Sequence, residues 1–541
     1  MSKENNTFNT SQVAVAEAES VAALPPCEVE LWADAAKGGG NLDHLATDHL
    51  LSDLKGRTVS GAFVTVVAQG AQFLLSLVSI MALARLLTPK DFGFFAMATA
   101  VVGYLRIFKD AGLSMATVQR EGISQAQVSN LFWINVGVSG AITLLLATCS
   151  PLVAWFFREP RLIGITITLS ATFILNGLAI QHSALLNRQM RFKALAIIQV
   201  GSMLIGVSLA IILALLNFKY WALIVSNVVT VLAATLFTWI AIPWRPQAPS
   251  RRSGTRSLVS FGANVATGGL IYSVARGADA MLVGRFYGAI PLGLYSRAAA
   301  LLTRPMEQFL CPIGSVVLPV LSRVQSQPER YRRTFLRVYE TMALGSCLFG
   351  GLLFALARPL TFIVLGNSWE QAASLFAGFT LGTLWIPTVT ASTWLFTSQG
   401  RGKEWLLASS LSSGITLTSF VAGLPFGPLG VATAYSIFGV LVEMPALYYL
   451  AGRRGPVISA DLWMPIFRYV PLWAIVCGTT YLTDLFFARS SPWLQLLFCA
   501  PVGLSAGLLL ICFVTPMRRA LLEVVDILQE LRSRRVSSSA R

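Results

Sequence analysis

Three polar side chains in one apolar stretch could together form an ion-binding group. Arg276 lies within the apolar run at 258–283, with Tyr272 four residues before it and Asp279 three residues after it. Side chains three and four positions apart lie on the same face of a helix, so these three would share one face. A guanidinium presents a rigid fork of N–H donors that fits phosphate and carboxylate oxygens.

A second group has the same character. Arg297 and Arg304 are seven residues apart in the apolar run at 291–318, and Glu307 follows Arg304 by three residues. This spacing places the two arginines on one helical face, with Glu307 one turn further along.

Each group has two interpretations, and the sequence leaves both open. The arginines could bind an anionic ligand, because ionisable residues at membrane depth are costly and usually functional. Alternatively, Arg276 could pair with Asp279, and Arg304 with Glu307, so that each pair is neutralised and braces the helices.

Arg106 and Lys109 lie near the end of the apolar run at 92–110. Long basic side chains at such a position usually extend towards the lipid headgroups. A pair of cations at the mouth of a cavity would also suit the capture of an anion, so both residues remain candidates for binding.

Membrane-spanning helices must position these side chains. The 541 residues are 55% hydrophobic and only 12% charged, with a mean hydropathy of +0.66, whereas soluble proteins carry roughly 25% charged residues. Apolar windows of about 20 residues, long enough to cross a ~30 Å hydrocarbon core, recur about fourteen times. They must be helical, because an open sheet edge would leave backbone groups unpaired in lipid. The sequence therefore predicts an all-α polytopic membrane protein. The windows lie near 60–84, 92–110, 130–150, 162–182, 194–216, 220–243, 258–283, 291–318, 336–357, 372–396, 404–424, 428–450, 463–485 and 492–515.

The net charge of +16 indicates topology and not a nucleic-acid partner. Most of the 41 Arg and Lys residues fall in alternate connections between the apolar windows. Basic connections stay on the cytoplasmic side, where they face anionic headgroups. Both termini and the connection at 244–257 are therefore predicted to be cytoplasmic.

Composition divides the chain into six segments. The connection at 244–257 is rich in Pro, Ser and Arg and is preceded by six windows, so it is the predicted linker between two bundles. The segments are a disordered acidic cytoplasmic tail (1–55), an amino-terminal lobe (56–243), the basic linker (244–257), a carboxyl-terminal lobe (258–450), two additional spans (451–515) and an amphipathic basic tail (516–541).

The two halves resemble each other at an offset of 200 residues. Parallel repeats of this kind are common in transporters, whose binding site lies between the halves. The first copy contains Met81, Arg85, Gly93, Ala98 and Ala100, which recur as Met281, Arg285, Gly293, Ala298 and Ala300.

Cysteines and histidines give no sign of a metal site or a disulfide framework. The seven cysteines show no C-x-x-C spacing, and the five-residue spacing of His44 and His49 does not align them on one helical face. A Walker A motif is absent as well, so neither ATP nor another cofactor is expected.

Seven segments point to a known family. They are ALARLLTPKDFGFFAMA from Ala82, DAGLSMATVQR from Asp110, SNLFWINVGVSG from Ser129, ALLNRQMRFKALA from Ala184, GRFYGAIPLGLYSRA from Gly284, VLPVLSRVQ from Val317 and GNSWEQAA from Gly366. They resemble the polysaccharide-exporter (Wzx-type) flippases of the MOP (multidrug/oligosaccharidyl-lipid/polysaccharide) superfamily, especially exporters of colanic acid and succinoglycan. The resemblance extends from about Gly56 to Leu450.

The resemblance implies two six-helix lobes around a central cavity that opens alternately to either side, followed by two further helices. It implies that the chain is not an enzyme but moves a polyprenyl-pyrophosphate-linked oligosaccharide across the bacterial inner membrane, for exopolysaccharide, capsule or lipopolysaccharide synthesis. The pathway's polymerase and chain-length regulator would be its partners. For such a substrate the candidate binding residues are Arg276, Arg297, Arg304, Tyr272, Asp279, Glu307, Arg106 and Lys109.

Uncharged polar residues in the spans could bond sugar hydroxyls, although such residues also join helix to helix. Those considered are Gln69, Gln72, Asn264 and Thr267. Three further ionisable residues, Arg468, Glu443 and Asp484, are predicted to be structural or interfacial.

Other functions fit the sequence less well. A cation-coupled drug exporter of the same superfamily would require a carboxylate deep in the first span, and 58–87 contains none. A polymerase of the same pathway would carry a large external loop, and a glycosyltransferase a D-x-D motif, which is absent. A purely structural scaffold would not explain arginines at membrane depth.

Overall fold

The protein is seen in a computed structural model that describes residues 54–105, 114, 117–118, 123–250 and 277–522. All regular structure in these ranges is helical, which confirms the predicted all-α class. Nearly all of the predicted acidic tail (1–55), the second part of the linker and most of the basic tail (516–541) lie outside the described residues.

Most helices before the linker are long, and helices that follow each other in sequence mostly run antiparallel. They are α1 (Leu54–Leu86), α2 (Pro89–Leu105), α3 (Gln125–Thr148), α4 (Ser150–Phe157), α5 (Leu162–Arg188), α6 (Phe192–Leu215) and α7 (Trp221–Ala241).

The helices after the linker include several that are interrupted by short 3₁₀ or π turns. They are α8 (277–287), α9 (Ala289–Arg323), α10 (Pro328–Ala355), α11 (Ala357–Val364), α12 (Glu370–Thr380), α13 (Ile386–Ser398), α14 (Gly402–Gly423), α15 (Gly427–Phe438), α16 (Met444–Gly452), α17 (Ser459–Phe486) and α18 (Pro492–Phe513).

Ten stretches among the described residues are long and apolar enough to cross a membrane. The predicted count of about fourteen stays a prediction: parts of the windows at 92–110 and 258–283 are not described, and α9, which contains the predicted window at 291–318, is not among the ten stretches. The predicted windows at 404–424 and 428–450 fall within a single apolar stretch, Gly402–Gly452. A 3₁₀ turn at Leu424–Phe426 separates α14 from α15 inside that stretch, and α15 begins at Gly427, whose φ is +80°.

Large apolar side chains cover the outside of the bundle. Ile240 is 79% exposed, Phe467 70% and Leu144 66%. Extended apolar surface of this kind would be unfavourable in water and is stable in hydrocarbon. The chain is therefore a multi-pass membrane protein.

Neighbouring helices pack in two groups. Before the linker, α3 packs on α5, and α6 packs on both α1 and α7. After it, α9 packs on α12, while α17 packs on α10 and α18. The predicted lobe boundaries themselves stay predictions.

The two groups meet where α2 crosses α9, at Gly93 and Gly293. We call this end of the bundle the joined end. Beside the crossing, the Arg85 Nη2 group donates to the carbonyl of Ile363 at 2.8 Å, and the Trp369 indole donates to the carbonyl of Ala84 at 2.8 Å. Contacts between the amino- and carboxyl-terminal helices therefore close this end of the molecule.

The first residues of the predicted linker lie along the start of α3. The Trp244 indole donates to the side-chain oxygen of Gln125 at 2.6 Å, and the Ser250 backbone N–H donates to Asn130 Oδ1 at 2.8 Å. In addition, the Trp133 indole donates to the Gln247 carbonyl at 2.8 Å. Residues 244–250 are thus fixed to the amino-terminal helices.

Candidate functional site

A cavity of about 290 Å³ lies directly below the crossing of α2 and α9. Its walls come from α1, α2, α6 and α7 on one side and from α9 on the other. The cavity therefore lies between the amino-terminal helices and the first long helix of the carboxyl-terminal part, as expected for a site between two repeats.

Arg297 and Arg304 supply the positive charge of this cavity. The Arg297 guanidinium lies 4.6 Å from the centre of the Phe92 ring, and its Nε has no hydrogen-bond partner among the described residues. Arg304 is exposed to the cavity and lies close enough to repel the charge of Arg297. The two arginines therefore lie on one face of α9, as their spacing predicts.

The crossing of α2 and α9 positions Arg297. Phe92 directly precedes Gly93, and Arg297 lies one turn after Gly293 on α9. Because the backbones touch at these glycines, the guanidinium reaches the face of the Phe92 ring. A cation over an aromatic face is held electrostatically without being neutralised.

A second cavity, of about 350 Å³, lies beside the first, and Ala300 and Arg304 of α9 line both. Arg304 lines both cavities, while Asp279 and Glu307 line the second alone. The Tyr295 hydroxyl donates to Asp279 Oδ2 at 3.0 Å. The structure therefore brings Asp279, Arg304 and Glu307 around one space.

Within the described ranges, neither Arg304 nor Glu307 forms an ion pair. The structure therefore gives no support to the alternative in which these two residues neutralise each other as a brace. Both side chains are exposed and face the second cavity. The remaining predicted site residues, which are Arg276, Tyr272, Arg106 and Lys109, lie outside the described residues, as do Asn264 and Thr267.

An uncharged polar wall faces the arginines across the first cavity. Ser76 and Ser79 of α1 and Asn227 and Thr230 of α7 line it. The approach of α6 to α7 places this wall, because Gly206 has no side chain to collide with Thr230 Oγ1, which would lie 1.7 Å from an added Cβ. The sequence reasoning missed these residues, since short polar side chains in apolar helices give no signal of which neighbour they face.

Other polar residues of the spans join helix to helix. The Gln72 amide donates to Gln199 Oε1 at 3.0 Å, linking α1 to α6. Arg468 of α17 donates to Glu340 of α10 at 2.7 Å. The Ser412 hydroxyl donates to Glu443, which is 2% exposed on a π-helical turn.

Two bacterial proteins of similar sequence are named for the biosynthesis of teichuronic acid and of succinoglycan. The chain is 24% identical to the teichuronic acid biosynthesis protein TuaB of Bacillus subtilis over 75% of this chain and 83% of that protein. It is 25% identical to the succinoglycan biosynthesis transport protein ExoT of Rhizobium meliloti over 82% of this chain and 83% of that protein.

A solved structure shares the fold. The lipid II flippase MurJ, in an inward closed conformation, matches with a TM-score of 0.66 at 15% identity, over 83% of this chain and 97% of that chain. The chain therefore shares the fold of this flippase, as the predicted MOP-like fold class requires. A family model described as "Polysaccharide biosynthesis protein" matches residues 82–374, more than half of the sequence. The chain belongs to this polysaccharide biosynthesis protein family.

Proposed function

We propose that this protein is a flippase that translocates a polyprenyl-pyrophosphate-linked oligosaccharide repeat unit across the bacterial inner membrane. The observation that carries the proposal is the cavity in which Arg297 and Arg304 face a wall of hydroxyl and amide groups. The chain would act as a carrier and not as an enzyme.

The charge of the site suits a diphosphate. Two arginines on one face of α9 repel each other, and an anion placed between them would relieve that repulsion. Guanidinium groups bind phosphate oxygens through two parallel hydrogen bonds. Such a site binds a diphosphate in preference to an uncharged solute. A cation-binding drug site would require the opposite charge on this helix face.

The closed joined end supports transport by alternating access. Arg85 and Lys90 lie at this end and, by the distribution of basic residues, face the periplasm. The amino- and carboxyl-terminal helices are held together there by the Arg85–Ile363 and Trp369–Ala84 hydrogen bonds. A substrate would then enter from the cytoplasmic side and leave after these contacts separate.

The relatives support the class of substrate. TuaB is named for teichuronic acid biosynthesis, ExoT for succinoglycan transport and MurJ for flipping lipid II. We extend this class to the present chain, with both termini cytoplasmic and with the polymerase and chain-length regulator of the same pathway as partners.

The test is deletion of the gene in its native host, with lipid-linked repeat units assigned to each membrane leaflet. We expect surface polysaccharide to disappear while the repeat units accumulate on the inner leaflet. A complementing wild-type copy should restore both. Repeat units that reach the outer leaflet normally but remain unpolymerised would overturn the proposal in favour of a polymerase.

A further inference from the structure

Three polar side chains in the first cavity have hydrogen-bonding groups with no partner among the described residues. Ser76, Ser79 and Asn227 line the cavity, and within the described ranges their side chains make no hydrogen bond. Ser76 and Ser79 are partly buried, while Asn227 is exposed to the cavity. An unbonded hydroxyl or amide at membrane depth is unfavourable unless water or a ligand bonds it.

Neighbouring hydroxyls behave differently. Thr230 donates to the carbonyl of Ser226 at 2.7 Å, and Ser226 donates to that of Leu223 at 3.0 Å. Ser202 of α6 likewise donates to Gln199, at 3.2 Å. Bonding to the preceding turn is the usual way in which Ser and Thr are satisfied inside a membrane helix. The three free side chains are therefore exceptions to the local rule.

The free groups converge on one space. Ser76 and Ser79 are three residues apart on α1, so they share a face, and Asn227 of α7 lines the same cavity. Arg297 and Arg304 line it from α9. The cavity thus has a cationic wall and a neutral wall that can both donate and accept hydrogen bonds.

A ligand that matches both walls carries its charge and its hydroxyls side by side. A sugar attached directly to a diphosphate has this arrangement. Serine hydroxyls and a carboxamide each donate and accept, as sugar hydroxyls do, whereas an anion can use only their donor groups. The bare polyprenyl diphosphate would leave the acceptor groups of the neutral wall without a ligand partner.

We propose that Ser76, Ser79 and Asn227 form a subsite that binds the hydroxyls of the first sugar, the one joined to the diphosphate. This inference rests on the proposed function and specifies it further. The subsite makes the carrier discriminate between a glycosylated lipid and the bare polyprenyl diphosphate that recycles after polymerisation.

The experiment measures binding of two lipids to the purified full-length chain in nanodiscs. The probes are undecaprenyl diphosphate and undecaprenyl diphosphate that carries one glucose or, in a parallel sample, one galactose. The variants are the triple change Ser76→Ala, Ser79→Ala, Asn227→Ala and the double change Arg297→Gln, Arg304→Gln. Asn176→Ala and Ser202→Ala serve as matched controls, because each side chain bonds the backbone of its own helix.

We expect the wild type to bind a glycosylated lipid at least about tenfold more tightly than the bare lipid, the ratio that ~1.4 kcal/mol provides. The triple variant should bind both lipids with the affinity of the bare lipid. The arginine variant should lose affinity for both, and the two controls should match the wild type.

Four results would overturn the subsite. An equal loss of affinity for both lipids in the triple variant would mean that these residues only hold the arginines in position. Unchanged binding in the triple variant, or a wild type that binds glycosylated and bare lipids equally well, would refute sugar recognition while leaving the flippase proposal in place. A wild type that binds no diphosphate lipid would refute the proposed function, and the subsite with it.

Discussion

Gly93 and Gly293 occupy equivalent positions in the two halves, and each contacts the first turn of the other's helix. A Cβ at Gly93 would lie 1.8 Å from the carbonyl oxygen of Ala289, and a Cβ at Gly293 would lie 1.8 Å from that of Pro89. Pro89 and Ala289 are themselves separated by 200 residues. The offset found in the sequence therefore corresponds to a reciprocal helix contact, and this contact fixes α9 beside the cavity.

Gly93→Ala should destabilise the protein because the added methyl group must push α9 away from α2. We expect a loss of about 1–3 kcal/mol, the usual cost of overpacking. Thermal unfolding of the purified protein would show it as a lower midpoint. Gly103→Ala, on the same helix with nothing within 4 Å of its Cβ, is the control. Equal midpoints for the two variants would contradict the close contact.

Arg297 and Arg304 should each tolerate Lys better than Gln. Lysine keeps the charge and loses the bidentate fork, whereas glutamine loses both. Export of polysaccharide should fall at least about tenfold in each Gln variant, the factor that corresponds to ~1.4 kcal/mol of lost binding. Membrane-inserted protein should stay at the wild-type level, as measured on immunoblots of washed membranes.

The brace alternative predicts another pattern for Arg304. If Arg304 only neutralises Glu307, Arg304→Gln should reduce the amount of inserted protein, and adding Glu307→Gln should restore both protein and export. We expect no rescue of export, because Glu307 is exposed to the second cavity and forms no ion pair within the described residues.

Arg468→Gln should behave as the loss of a structural ion pair. Arg468 and Glu340 are 23% and 28% exposed, and their hydrogen bond joins α17 to α10. Its removal should cost about 1–3 kcal/mol, and the double change with Glu340→Gln should recover part of this loss. Thermal midpoints of the single and double variants give the coupling. An Arg468→Gln protein with full stability but no export would instead assign this arginine to the transport path.

Reporter fusions test the predicted topology. Fusions after Arg256 and Arg541 should be active with a cytoplasmic reporter and silent with a periplasmic one, because the basic connections remain inside. Periplasmic activity at both positions would reverse the orientation, and the joined end would then face the cytoplasm.

The sequence predicts the all-helical class and most of the spans seen in the described residues, because helix formation in lipid depends mainly on length and apolarity. It also predicts that Arg297 and Arg304 share one helical face, since they are seven residues apart, and in the structure both line the first cavity. The ion-pair partner of Arg468 could not be predicted from helical spacing. Glu340 is distant in sequence, and it contacts Arg468 only because α17 packs on α10.

The neutral wall of the cavity was beyond prediction for a related reason. Ser76 and Ser226 are the same residue type in similar apolar surroundings, yet only Ser226 bonds its own helix. Which serine remains free depends on how α1, α6 and α7 approach one another. Close packing at Gly206 governs part of that approach. No local sequence pattern predicts that this packing leaves Asn227 facing the cavity.

The most direct test of the flippase proposal is lipid translocation by the purified protein in proteoliposomes. A fluorescent undecaprenyl diphosphate that carries one hexose would be placed in the inner leaflet, and its arrival outside measured by an impermeant quencher. We predict a rate well above that of protein-free vesicles, lowered at least about tenfold by Arg297→Gln and unchanged by Asn176→Ala. A rate equal to that of protein-free vesicles, or one that Arg297→Gln leaves unaltered, would contradict the proposal that this arginine cavity carries the lipid-linked sugar.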